Sequence, residues 1–162
     1  MISKKMQKAL NDQINAELYS SYIYLAMSAY FESQNWNGFA AWMAKQSMEE
    51  YGHAMKIYKY VTEVEGRVIL EAIEKPKSDW KSPLEVFDAA YKHEIYITNR
   101  INDLTNLAVT EKDHATNIFL HWFVTEQVEE VATVSQIVNK FKMVGDNKSA
   151  LYMLDKELGS RQ

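Results

Sequence analysis

The chain contains no cysteine. That absence removes disulfide frameworks, thiolate zinc sites and iron–sulfur clusters together, and leaves no thiol from which a redox compartment could be read. Glycine and proline are also scarce, 5 and 2 in 162 residues, which argues against a turn-rich all-β fold and against disorder. No uninterrupted apolar run approaches the about 20 residues of a membrane span, and Met1-Ile2-Ser3-Lys4-Lys5 leads into an amphipathic pattern without a signal-peptide core. No membrane partner is expected, and the cytoplasm is the expected location. Positive charge is not in excess either: 18 Lys and Arg stand against 22 Asp and Glu, a formal net charge of −4. Nucleic acid is therefore not an expected partner, and Lys4, Lys5 and Lys8 read as a solvated helix face.

What is present is a helix-rich composition, 47% hydrophobic and 25% charged. The length suits one domain, residues 1–162, with a substantial core. Four long helical patterns and one short one can be drawn. The first runs from about Ser3 to Phe31 and the second from about Asn37 to Glu63, broken at Asn35-Trp36-Asn37-Gly38. Residues 65–81, with Gly66 and Pro76, read as a long connection. The third helix opens at Ser82-Pro83-Leu84-Glu85, a capping serine before proline with glutamate at the capping-box position. The fourth is expected from Thr110-Glu111-Lys112-Asp113 to about Met143, with Gly145 just past its end. A last amphipathic piece spans about Asn147 to Leu158. Short first and third connections with one long crossover predict an all-α four-helix bundle over about 3–143 plus a short fifth helix. A four-helix bundle has no evident need for that fifth helix's apolar side, so packing against other subunits is expected of it.

The most informative pattern is an offset of 77 residues. Glu17, Glu50 and His53 recur as Glu94, Gln127 and Glu130, and Glu17-Leu18-Tyr19 is matched by Glu94-Ile95-Tyr96. Residues i and i+3 share a helix face, so Glu50 with His53, and Gln127 with Glu130, each present two donor groups in one direction. Four helices could aim six ligands at one point. Carboxylates with one imidazole, one amide and no thiolate suit iron or manganese before copper.

The surroundings strengthen the case. Gln127 and Glu130 interrupt an apolar stripe containing Leu120, Phe123, Val124, Val131 and Val134, and Glu94 lies among Phe87, Tyr91, Ile97 and Ile101. A buried carboxylate must be paired or metal-bound, and the nearest basic residues in sequence to Glu50 are Lys45 and Lys56. Tyr24, two turns after Glu17, is either a donor to a ligating carboxylate or a plain core tyrosine. Glu49, Glu126 and Glu129 form a second acidic layer, either an adjacent third metal position that shares Glu130 or a solvated acidic strip. Trp122, one turn before Glu126, could exchange an electron near the metals. Glu111-x-x-His114 repeats the spelling of Glu50-x-x-His53 but lies in a polar helix start and is not expected to bind metal. His93 and His121 read as packing or surface residues.

With these residues assembled, the chain resembles the bacterial non-haem ferritins over essentially its whole length. The resemblance rests on Glu17, Glu49-Glu50-Tyr51-Gly52-His53-Ala54, Glu94 and the run from Phe119 to Glu130. It implies a ferroxidase: a di-iron centre with Glu17, Glu50 and His53 on one iron, and Glu50, Glu94 and Glu130 with Gln127 close by on the second. It also implies a third iron at Glu49, Glu126, Glu129 and Glu130. A homo-oligomeric shell of 24 subunits, oxidising Fe(II) with dioxygen or peroxide and storing a ferric mineral, is the expected function. A bacterioferritin would show Glu-x-x-His in the second half and a haem-ligating Met where Tyr51 stands, so haem is not expected. A rubrerythrin would need cysteine ligands. The remaining alternative is a metal-free helical scaffold whose acids hydrogen-bond internally.

Overall fold

The structure is a computed structural model and describes residues 2–162. Five helices follow one another: α1 (Lys4–Ser33), α2 (Asn37–Glu63), α3 (Pro83–Thr110), α4 (His114–Val144) and α5 (Lys148–Gly159). The α1 helix pairs with α2 and α3 with α4, while α1 also adjoins α3 and α5 docks chiefly on α2. This is the expected four-helix bundle with a crossover and a short fifth helix.

Local chemistry marks the boundaries. Ser3, Ser82, Asp113 and Asn147 each cap a helix by accepting from the backbone N–H three residues on. Three helices stop alike: Asn35, Glu65 and Lys112 take positive φ, and the next residue's N–H returns to the carbonyl five positions back, as Trp36 does to Phe31. The third and fourth helices therefore divide differently from expectation. Thr110 ends α3, Glu111 and Lys112 form the turn, and Asp113 caps α4 by accepting from Thr116 N–H, so that the helix itself begins at His114. The capping box is shifted as well: Ser82 accepts from Glu85 N–H, but the Glu85 carboxylate accepts from Lys81 N–H instead of Ser82. The first helix continues to Ser33, one half-turn past Phe31.

The crossover has no regular structure, yet its backbone is partnered. Gln7, Asn11 and Asn15, spaced one turn apart on α1, form an amide ladder. Gln7 accepts from Arg67 N–H, Asn11 exchanges bonds with Arg67 and Ile69, and Asn15 donates to the carbonyls of Glu71 and Ala72.

Two apolar clusters fill the bundle, one at each end of a buried polar layer. One holds Met6, Leu10, Ile57, Ile101, Leu120 and Phe123. The other centres on one phenylalanine from each long helix: the Phe39 and Phe87 ring centroids lie 6.0 Å apart, and each is 5.1–5.9 Å from those of Phe31 and Phe141. The α5 helix closes this end. Leu154 and Leu158 are buried in the phenylalanine cluster, and the Asp155 carboxylate accepts from Phe39 N–H at 2.8 Å. Trp36 offers no side-chain cap to α2, so α5 supplies it from 116 residues away. Thus α5 uses its apolar side against its own bundle, which corrects the expectation that other subunits would cover it.

That docking needs two glycines. A Cβ on Gly38 would stand 1.8 Å from the Asp155 carbonyl oxygen, and one on Gly159 would stand 2.9 Å from Gly38 Cα. Replacing Asp155 by Ala removes the cap, at a cost of about 1–2 kcal/mol and a Tm lower by a few degrees. Gly38→Ala must push α5 away and should lower Tm further. Thermal denaturation followed by circular dichroism tests both, and an unchanged Tm in Gly38→Ala would contradict this packing.

Candidate metal centre

Between the two apolar clusters the four long helices turn polar groups inward at one level. Glu17 from α1, Glu50 and His53 from α2, Glu94 from α3, and Gln127 and Glu130 from α4 are all buried there. The helical spacing explains the convergence: each group replaces one apolar residue in a stripe that otherwise faces the core.

Three overlapping donor sets result, in each of which one atom per residue lies within 4.8 Å of the others. Glu17, Glu50 and His53 form one, and Glu50, Glu94 and Glu130 form the next. Glu50 is common to both, so two cations would lie side by side with its carboxylate between them. The third set is His53, Glu126 and Glu130. Glu49 and Glu129 are not in it. The Glu49 carboxylate is held by Arg161 at 2.8 Å, and Glu129 is exposed on α4.

The electrostatics describe a layer short of positive charge. Burial first, and then the charge of Glu50, push Glu17 up to about 8. Burial and Glu94 raise Glu130 to about 7. Glu50 is raised by burial and by Glu94 and Glu130, and Glu94 by burial, against the lowering effect of hydrogen bonds from Tyr24 and Gln127. Glu17 Oε2 is buried with no hydrogen-bond partner. An orphaned carboxylate oxygen facing other acceptors is what a divalent cation would satisfy, so the donor chemistry fits iron.

The supporting groups divide into those the spacing suggests and those it hides. Tyr24, fully buried, donates its hydroxyl to Glu94 Oε1, and Gln127 donates its amide to Glu94 Oε2 at 3.2 Å and to Thr98 Oγ1. Gln127 thus faces the cluster as a donor. Two further buried amides carry no sign in the 77-residue repeat. Gln13 donates to Glu17 at 2.8 Å while its oxygen accepts from Arg100. Gln46 donates to Glu50 at 2.7 Å and to Glu130 at 2.9 Å while its oxygen accepts from Arg161. A Gln four residues before each first-half glutamate is the one available signal, since i and i+4 meet on a helix.

His53 places Nδ1 3.1 Å from Glu50 and Nε2 3.9 Å from Glu126, with its ring against the edges of Trp122 and Phe123. Trp122 therefore lies beside the cluster, under the Lys56 ammonium at 4.0 Å. Glu111 and His114 sit at the α3–α4 turn, where Glu111 accepts from the Ser3 hydroxyl. His93 is held against Ser20 at 2.7 Å, and burial lowers it to about 4.

A family model for a ferritin-like domain matches residues 7–144. Among proteins of known annotation, a bacterial non-heme ferritin of Bacteroides fragilis is 45% identical over 161 residues, 99% of this chain and 100% of that protein. One from Staphylococcus aureus is 40% identical, over 99% of this chain and 97% of its own length. Among solved structures, an open-pore ferritin from the archaeon Archaeoglobus fulgidus superposes with a TM-score of 0.99 at 52% identity, covering 100% of both chains.

The raised carboxyls set the direction of a pH effect. A carboxyl that binds its proton more tightly folded than unfolded makes the metal-free fold lose stability as pH rises from about 4.5 through the folded values near 7 and 8. The metal-free protein should therefore melt higher at pH 6 than at pH 8.5. Glu17→Gln should flatten that slope and raise Tm at pH 8.5. A metal-free wild type more stable at pH 8.5 than at pH 6 would contradict the burial of these acids.

Proposed function

The chain belongs to the ferritin family, and on that premise we propose that it oxidises Fe(II) at the carboxylate layer and stores the ferric product as a mineral inside a shell of 24 copies. The observation that carries this reading is the pair of donor sets sharing Glu50. Two ferrous ions held side by side can each give up one electron, matching the two-electron reduction of dioxygen to peroxide or of peroxide to water.

In this reading Glu17, Glu50 and His53 hold the first iron, and Glu50, Glu94 and Glu130 the second. Burial raises these carboxyls, so they hold protons more readily in the empty layer and release them as Fe(II) enters. Carboxylates then favour the harder Fe(III) product. Glu126 and Glu130 offer carboxylates for a third position next to the second, His53 having one free nitrogen that the first iron would use, and Glu49 and Glu129 would join it only by turning from their present partners or from solvent. Tyr24 and Gln127 orient Glu94 through hydrogen bonds.

Assembly into a shell is supported by apolar side chains left on the surface, including Tyr22 and Leu25 on α1 and Ile69, Leu70 and Ile73 in the crossover. No helix among the described residues is long and apolar enough to cross a membrane, and the cytoplasm remains the proposed location. A metal-free scaffold is disfavoured because it gathers the carboxyls of Glu17, Glu50, Glu94 and Glu130 in one buried layer, where burial and like charge raise them.

Loss of a shared ligand should harm both positions. Glu50→Ala should slow the rapid phase of Fe(II) oxidation more than Glu17→Ala does, and a wild-type rate in Glu50→Ala would remove the assignment. The two central positions should also be unequal, because the repeat answers His53 with Glu130 and Glu50 with Gln127, a neutral amide that is a poorer ligand and already points its NH2 at Glu94. In anaerobic Zn(II) calorimetry the position with Glu17 and His53 should fill first. Two sites filling together with one affinity would show that the asymmetry has no consequence for binding.

A further inference from the structure

Arg161 lies beyond the end of α5, 111 residues from Glu50 in sequence, yet it reaches the metal layer through one intervening side chain. Its guanidinium stacks over the Trp42 ring at 4.4 Å and donates to the Trp42 carbonyl. One nitrogen, NH2, donates both to Gln46 Oε1 at 2.9 Å and to Glu49 Oε2 at 2.8 Å. Gln46 is fully buried, and its opposite end gives Nε2 to Glu50 at 2.7 Å and to Glu130 at 2.9 Å. These two carboxylates are the ones that the donor sets share.

A carboxamide has two ends of similar shape and opposite hydrogen-bonding sense. A buried Gln46 turned the other way would press its oxygen against two carboxylates, so something must fix its direction. The permanently charged guanidinium holds the amide oxygen outward, which keeps the NH2 aimed at Glu50 and Glu130. The same arrangement recurs on α1, where Arg100 Nε donates to Gln13 and Gln13 donates to Glu17. Arg161 differs in being carried by the chain's end, so its contact depends on α5 being seated on α2.

We infer that Arg161 is a positioning residue for the metal centre: through Gln46 it presets the carboxylates of Glu50 and Glu130, and it thereby couples the seating of the C-terminal segment to metal affinity. The inference rests on the proposed use of Glu50 and Glu130 as metal ligands.

The test is anaerobic titration of the assembled, metal-free protein with Co(II), read by its d–d absorption, with Tm measured in parallel. Arg161→Ala should weaken Co(II) binding about tenfold or more, the range found when a partner of a ligating group is removed. Gln46→Leu should do the same, and the double variant should be no weaker than Gln46→Leu alone, because both act through one contact. Arg161→Lys keeps the charge that can hold Glu49 but not the fork that also reaches Gln46 and Trp42, so it should retain Tm while losing affinity. It is also the variant to use if Arg161→Ala does not assemble. Unchanged Co(II) affinity in Arg161→Lys, or additive losses in the double variant, would overturn the inference and leave the site assignment intact. A wild-type protein that binds no Co(II), or binds it equally well after Glu50→Ala, would overturn both.

Discussion

Everything in the middle of this bundle follows from the cost of placing Glu17, Glu50, Glu94 and Glu130 in one buried layer. A single carboxylate removed from water without a partner costs several kcal/mol, and neighbours of like sign add to it. The protein does not remove the cost by bringing a cation into the layer. It lets the acids keep protons, with Glu17 near 8 and Glu130 near 7, and surrounds them with amide and hydroxyl donors. The layer is therefore a strained region held between two apolar clusters, and the phenylalanine cluster beside it contributes the rigidity that keeps four helices in register. Each Phe removed there would cost about 3–5 kcal/mol, enough to loosen the geometry on which the donor sets depend.

Arginine is kept one amide away. Arg100 and Arg161 both face the layer, but Gln13 and Gln46 stand between guanidinium and carboxylate. A direct buried Arg–Glu pair would fill the site with its own cation and leave nothing for an incoming metal to do. A relayed pair has the opposite effect: the amide transmits direction and a partial positive end without supplying a full charge. The carboxylates are oriented and remain hungry for a cation, which is the state a metal-capturing site needs.

Much of this was legible in the amino-acid order, and the limits of legibility have physical causes. The 77-residue offset and the i,i+3 pairs locate Glu17, Glu50, His53, Glu94, Gln127 and Glu130 in one layer because helical periodicity converts spacing into direction. The caps at Ser82 and Asn147 announce themselves by residue type. Long-range partnerships do not. Asp155 caps α2 across 116 residues and Arg161 reaches Gln46 across 115, and no local propensity encodes either. Lys45 and Lys56 are the nearest lysines to Glu50 along the chain, yet the cation that reaches its amide partner Gln46 is Arg161. The break between α3 and α4 was misplaced for a related reason: Asp113 can serve as cap or as first-turn acid, and only the left-handed turn at Lys112 decides between them.

The broken symmetry of the repeat has a structural counterpart in these relays. In the first half, each glutamate has a glutamine one turn earlier whose far end is fixed by arginine. In the second half, the positions one turn before Glu94 and Gln127 are Ala90 and Phe123, which can donate nothing. Glu94 is held instead by Tyr24 and Gln127, and neither of those is anchored by a charge. The first-half ligands are thus set by a permanent cation at a distance, and Glu94 by neutral groups that can readjust. For the proposed passage of iron from Fe(II) to Fe(III), such a centre has use for both: a fixed side that defines the position and an adaptable side that follows the change in charge.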